Sequence, residues 1–297
     1  MIQEILTKIE TVNKERFSDL NGRNIISVTK LQDYVTTPFD KEKQAKSCEE
    51  KGQKDPNYKY AGKTAAEIIK MWEDKAAESI MYGNLLDEYT EQRLEKDPTS
   101  MELWKLDNNF ENDARLRNNC LGFDEFYAEI TSYGYEVVGR EIPVYLQTPS
   151  TVGDLPFDNQ TEEGNNVVVG RIDCLFHNPV SGKYLIVDWK TTDEIKTEAF
   201  AARKMKGPAN QWQDCDMAKY TIQLHMYKTA LAHTYKLASL DKIVVVVCNL
   251  RKEQDPATKK NFILYKQNFD YNDALIYQVV DFSIKKRALL NNKQSHQ

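Results

Sequence analysis

The sequence predicts an α/β fold: a central mixed β-sheet flanked by helices, with a helical N-terminal portion. Three observations carry this. The runs NVVVGRIDCLF, KYLIVDWKTT and KIVVVVCNL are short, apolar and rich in β-branched residues, as buried strands are. The stretch from about 64 to 95 instead repeats apolar residues at spacings of three and four. Further helical patterns stand before, between and after the strand runs.

In chain order, a short helical segment is expected around 2–15, followed by SVTKLQDYV, where Ser27 is placed to cap a helix. Residues 48–62, CEEKGQKDPNYKYAG, are polar and turn-rich and read as an exposed loop. The long helix follows, with Ile69, Trp72, Ala76, Ile80 and Gly83 as its stripe. A second helical stretch covers about 111–132, and Gly134 separates it from the strand YEVVGREIPVYL. The polar insert QTPSTVGDLPFDNQTEEGNN comes next. NVVVGRIDCLF and KYLIVDWKTT then form a hairpin around the turn HNPVSG. A helix from Lys219 to about Leu237 leads into KIVVVVCNL, an edge-like strand FILYKQNF, and a closing helix around 272–290 with a lysine-rich tail. Residues 1–135 are expected to form the helical portion, lending one helix to the site. Residues 136–297 form the core, and the two make one compact unit.

A chain of 297 residues can bury a substantial core. With 29% charged residues and a net charge of -5, it is not a basic, non-specific DNA coat. A locally positive cleft, or acids that hold cations, remains compatible with nucleic acid. No stretch reaches the roughly eighteen apolar residues of a membrane span, and the N-terminus lacks a signal-like apolar core, so a cytoplasmic protein is expected. The five cysteines (Cys48, Cys120, Cys174, Cys215 and Cys248) form no CxxC pair, and the four histidines have no zinc spacing. Their wide spacing argues against a disulfide-stapled secreted protein, and Cys174 and Cys248 read as small core residues.

The chemistry centres on Asp188-Trp189-Lys190. Acid-x-Lys triplets recur at Glu49, Glu73 and Glu194 in polar surroundings, whereas Asp188 and Lys190 end an apolar strand and share its face. Asp173 stands one hairpin upstream in Gly170-Arg171-Ile172-Asp173. Two carboxylates on adjacent strands suit a hard cation such as Mg²⁺, with the Trp189 carbonyl as a third oxygen and Lys190 in reach of a phosphoryl oxygen. A structural hairpin closed by a salt bridge fits the same residues. Asp87 continues the helical stripe four residues beyond Gly83. It is either an inward carboxylate that needs a cation or the wet end of the helix. Gln223 and Tyr227 share a helix face with Tyr220, either as a polar clamp or as core aromatics beside an amide.

Together, Gly83…Asp87, Glu141, Gly170-Arg171-Ile172-Asp173, Asp188-Trp189-Lys190-Thr191 and Gln223-Leu224-His225-Met226-Tyr227 resemble the PD-(D/E)xK nuclease superfamily. The branch most similar is the RecB-like one, with phage lambda-type and mitochondrial genome maintenance exonucleases. Ile26-Ser27-Val28-Thr29 with Phe39 resembles the leader of such members, and the likeness spans about residues 25–250. The resemblance implies a restriction-endonuclease-like core and a metal-dependent exonuclease giving 5′-phosphate products, with DNA as substrate, single-stranded or with free ends. It makes Asp173 and Asp188 metal-binding acids, Lys190 the catalytic lysine and Glu141 an additional acid. Gln223 and Tyr227 support the lysine and contact DNA.

The expected cofactor is Mg²⁺ or Mn²⁺, one ion or two, with the second near Asp87 and Glu141. Many members carry histidine where this chain has Asp87, and the cysteines of iron–sulfur members are absent. Arg203, Lys204 and Lys206 are candidates for the DNA backbone, and Trp212 for base stacking or for a place in the core. Replication or recombination proteins are the expected partners, host cytoplasm the expected compartment of a phage-encoded member, and no membrane is involved. Two competing classes are a DNA-binding scaffold that has lost activity and a sequence-specific endonuclease. No recognition module or GxxxxGK[ST] motor loop is visible.

Overall fold

The computed structural model of the protein describes residues 24–95, 98–148, 166–199, 202–235, 240–265 and 273–294. The helix expected at 2–15, most of the polar insert after Gln147, the second half of FILYKQNF and the last residues of the tail lie outside them. In chain order the elements are β1 (Asn24–Ser27), α1 (Val28–Gln32), α2 (Lys41–Lys54), α3 (Ala65–Glu95), α4 (Pro98–Asp107), α5 (Ala114–Ser132), β2 (Glu136–Thr148), β3 (Asn166–Asn178), β4 (Lys183–Lys190), α6 (Asp216–Tyr235), β5 (Ile243–Leu250), β6 (Phe262–Tyr265) and α7 (Asp273–Gln294). Among the described residues, no helix is long and apolar enough to cross a membrane.

The six strands form one mixed sheet in the order β1-β3-β4-β5-β6, with β2 also on β3. The meeting of β1, β2 and β4 on β3 matters most. β2 runs antiparallel along nearly all of β3. On its other edge, β3 takes β1 in parallel at 166–169 and β4 antiparallel at 174–178. Gly170, Arg171, Ile172 and Asp173 lie between those two pairings, and among the described residues no strand stands beside them on that edge. β4 continues past its last β3 partner to Lys190, supported by parallel pairing with β5 as far as Lys190↔Asn249.

By contacts the chain divides into two units, residues 1–37 with 122–297, and residues 38–121. The expected division at 135 falls within the first of these units. The N-terminal strand β1 belongs to the sheet because its residues pair with β3, and Gly122 onward belongs with the sheet unit.

In the sheet unit, α6 is buried along nearly its whole length, with Ile222, Leu224, Met226, Ala230 and Leu231 in the main core beside Ile142, Val144, Ile172 and Ile186. Within residues 122–132 of α5, Phe126 meets Phe176, Phe262 and Trp189, and Phe123 meets Trp189. Ser27 caps α1 as expected, accepting from the Lys30 N–H. Buried Asp214 holds the far end of that segment, accepting the Thr37 N–H at 2.8 Å and pairing with Arg203 at 3.2 Å and Lys219 at 3.7 Å.

In the helical unit, residues 48–54 are helical rather than loop. Asp40 caps α2 by accepting the Lys43 N–H, and Ala45, Cys48 and Gly52 give the polar helix one narrow buried face, with Ala45 and Cys48 clustered with Ile68. Thr64 and Glu67 form a capping box at the start of α3, with Glu67 accepting the Thr64 N–H at 2.8 Å. The stripe expected on α3 holds only at its start, where Ile69 and Trp72 pack partly buried beside Ala45, Cys48 and Ile68. The buried positions are Ile68, Tyr82, Leu86, Tyr89 and Thr90, while Ile80 is 64% exposed and a Cβ at Gly83 would meet nothing. Tyr82 and Tyr89 are anchored by their own neighbours: Tyr82 donates to Asp113 at 2.9 Å, and Tyr89 packs on Trp104 and Phe110.

Gly122 sets how closely α5 lies to the start of β6. A Cβ there would stand 2.4 Å from the Asn261 carbonyl oxygen. That backbone is fixed by Glu125, which accepts the Asn261 N–H at 2.7 Å and its amide at 2.8 Å. Gly122→Ala should therefore destabilise the protein by about 2 kcal/mol, read as a lower denaturation midpoint in urea with an unchanged slope.

Candidate active site and metal centre

The site forms where β3 and β4 part. Beyond Cys174↔Val187 the two strands no longer exchange backbone hydrogen bonds. The Trp189 N–H instead donates to Asp173 Oδ2 at 2.9 Å, so a carboxylate stands where a strand carbonyl would be. The Trp189 ring is clamped between Phe123 and Phe126, each at 5.2 Å, which fixes the backbone on either side of it. Side chains alternate along β4, so Asp188 and Lys190 emerge together on the face opposite that ring.

Asp188 is 2% exposed. A carboxylate in such a place is stable only when it is paired. Lys190 Nζ stands 2.6 Å from Asp188 Oδ2, and the Gln223 amide donates to Oδ1 at 3.2 Å. The contact at Oδ2 is ionic, without the geometry of a hydrogen bond. The Gln223 amide also donates to the Tyr227 hydroxyl at 3.1 Å, and Lys190 Nζ lies 4.9 Å from the centre of the Tyr220 ring. Tyr220, Gln223 and Tyr227 thus line one side of α6, three and four residues apart, and all three serve the strand residues. The motif glycine has a steric reason as well: a Cβ at Gly170 would stand 2.4 Å from a Tyr227 ring carbon.

Burial, and then the nearby charge of Asp188, push the Asp173 carboxyl up to about 7. Burial works against the Lys190 charge, but Asp188 and Asp173 outweigh it and hold the ammonium above its ordinary value. Burial, then Asp188, raises the Tyr227 phenol, which therefore stays protonated. Two acids that repel each other across a buried notch, one with an oxygen lacking a hydrogen bond, are a donor set suited to a hard divalent cation. The oxygen ligands fit Mg²⁺, which keeps several waters of its own. Among the described residues, no group of three or more acids, histidines or cysteines is already gathered for a metal.

Glu141 lies on β2 between Arg140↔Cys174 and Ile142↔Ile172, opposite Asp173, and its φ is 51°. Left-handed backbone in a glutamate within a strand is strained. The Glu141 carboxylate accepts from Arg171 at 2.6 Å. Asp87 lies in the helical unit, exposed on α3. The inward stripe that argued for it is gone, and only the sequence resemblance speaks for it as a ligand. The Arg203 guanidinium is committed to buried Asp214, Lys204 donates to the Gln211 carbonyl at 3.1 Å, and Lys206 is half-buried with its N–H on the Val35 carbonyl. Trp212 is a core residue, 6% exposed. Sequence reasoning missed Arg171 as a partner of Glu141. Its position two residues before Asp173 was the available signal.

The family model of the PD-(D/E)XK nuclease superfamily matches residues 58–293, most of the chain. The chain belongs to the PD-(D/E)XK nuclease superfamily. Its mixed sheet flanked by helices is the restriction-endonuclease-like fold of that superfamily, whose nucleases generally use divalent ions such as Mg²⁺ and act on DNA. No curated protein matches the chain significantly.

The raised Asp173 carboxyl has a consequence for this nuclease-family protein when it is free of cations. A folded-state pKa above the unfolded one gives stability that is complete below about 4 and is lost as pH rises through about 7. The cation-free melting temperature should therefore fall between about pH 5 and about pH 8. Asp173→Asn should flatten that fall, and added Mg²⁺ should reverse it in the wild type. Thermal unfolding in EDTA and in Mg²⁺ across this range checks all three.

Proposed function

We propose that the protein is a divalent-cation-dependent DNA exonuclease of RecB-like type, acting on strands with free ends, preferably single strands, and leaving 5′-phosphate products. The observation that carries this is the gathering of Asp173, Asp188 and Lys190 at the parting of β3 and β4, with Gln223 and Tyr227 behind them. An intact pair of acids with its lysine favours an enzyme over a scaffold that has lost activity.

Asp173 and Asp188 would hold the cation, with the Trp189 carbonyl and Glu141 as further oxygens. A bound Mg²⁺ or Mn²⁺ supplies Lewis acidity at the phosphoryl oxygen and acidifies water. The chain's own residues do the rest. Lys190 enters as a cation, so it does not accept a proton. It stabilises the oxygens on which negative charge grows as water attacks phosphorus and the bond to O3′ breaks. Gln223 orients the Asp188 carboxylate, so the ammonium and the acid keep their places while the substrate changes charge. Tyr227, held on Gly170, keeps Gln223 in register. Lys204 and Lys206 remain candidates for the DNA backbone. Arg203 is a weaker one, because its guanidinium neutralises Asp214.

Linear single-stranded, linear duplex and closed circular DNA, incubated with Mg²⁺, with Mn²⁺ and with EDTA, separate the readings. The expected result is cleavage of linear strands only, dependent on cation, with 5′-phosphate ends. Rapid cutting of circles identifies an endonuclease, and no cleavage of any substrate identifies a binding protein. Asp188→Asn should abolish turnover. Lys190→Met should retain DNA binding while lowering kcat by about 10²–10³-fold.

Asp87 stays in the proposal as an auxiliary ligand on the resemblance alone. If it serves one, Asp87→Ala raises the Mg²⁺ concentration needed for half-maximal rate. An unchanged Mg²⁺ titration removes it from the site.

A further inference from the structure

The mechanism leaves one cation of the site without work. Lys190 is drawn to Asp188 and lies by the Tyr220 ring, with only 22% of its side chain exposed. Asp173, Asp188 and Glu141 are all acids, so the mouth of the site repels a polyanion unless some positive group faces solvent. Arg171 is that group. It sits on the four-residue stretch of β3 that has no strand on its outer edge among the described residues, two residues before Asp173, and it meets Glu141, which lies on β2 opposite Asp173.

About half of its side chain is exposed, and among the described residues its hydrogen-bond partner is Glu141, through one guanidinium nitrogen. A guanidinium carries five donors in a planar fork suited to phosphate oxygens, so most of its capacity is left over. An exposed ion pair adds little to stability. Yet β2 carries a strained left-handed residue at Glu141, where its carboxylate meets Arg171. Strain of this kind persists where placement matters more than stability.

We propose that Arg171 is a substrate-binding residue whose guanidinium contacts a phosphodiester of the DNA strand beside the acid pair, and that Glu141 positions it there. The proposal rests on the nuclease reading above. The Glu141 carboxylate tethers the long side chain at the rim and keeps it from folding onto Asp173. The phosphate then engages the donors that Glu141 leaves unused. Lysine at this position keeps the charge but loses the fork.

The test is binding without turnover. A fluorescent, phosphorothioate-linked single-stranded oligonucleotide is titrated with wild type, Arg171→Ala, Arg171→Lys and, as a control for net charge, Lys183→Ala at the exposed start of β4. The titrations are run in EDTA over a series of salt concentrations. Arg171→Ala should weaken binding about tenfold and lower the slope of log K against log salt by about 0.7, the effect of one phosphate contact on a single strand. Arg171→Lys should keep the slope and recover part of the affinity, and Lys183→Ala should change neither.

Thermal unfolding confirms that each variant is folded. Wild-type binding with affinity and slope unchanged in Arg171→Ala overturns the proposal alone. An equal loss in Lys183→Ala also overturns it, because charge anywhere on the unit then suffices. A wild type that binds no oligonucleotide overturns both this proposal and the nuclease reading.

Discussion

Among the described residues, four residues of β3 have no strand on one edge, and the site exists because of that gap. β1 occupies the edge at one end and β4 at the other, and Gly170 to Asp173 lie between. A continuous ladder would satisfy the Trp189 N–H with a carbonyl and leave no opening for a carboxylate. The interruption instead lets Asp173 take that N–H, and β4 can carry Asp188 and Lys190 beyond the pairing while β5 still supports its backbone. The geometry of the acids is thus a property of strand pairing, held by a whole sheet rather than by a loop.

The opening brings a difficulty that the helices resolve. Asp188 is almost fully buried, and an isolated charge there would not remain ionised. Lys190 supplies the opposite charge and Gln223 the hydrogen bond, so α6 is needed electrostatically as well as for its apolar contacts. On the other face, Phe123 and Phe126 fix Trp189, and Gly122 lets α5 approach near enough for them to do so. Each side of the sheet therefore holds a different part of the same three-residue segment: its ring on one face, its charges on the other.

The strands of the site were legible in the sequence because their signals are local. Runs such as LIVDWK pair an apolar stretch with an abrupt acid and lysine, and Gln223 and Tyr227 have helical spacing. Other features depend on partners far along the chain. The polar segment after Cys48 is a helix because Asp40 caps it, Ala45 and Cys48 find Ile68, and Gly52 lies against the Tyr60 backbone. The stripe through Ile80 and Gly83 matched the helical period, but Tyr82, Leu86 and Tyr89 proved to be the buried face through Asp113, Trp104 and Phe110. Periodicity finds a face and cannot say which of two faces wins. Arg203 was read as a candidate for the DNA backbone because nothing near it in the sequence shows that Asp214 would be buried at its side.

The placement of β1 also bears on how the chain is made. Its residues 24–27 pair with residues 166–169 of β3, and the entire helical unit, residues 38–121, lies between them in the chain. A ribosome therefore releases β1 long before its partner strand exists. The edge of the sheet closes only after the helical unit has been synthesised and β3 has emerged. A single protease cut within 38–121 would leave two fragments that each hold part of the sheet unit, with β1 retained by noncovalent contacts alone.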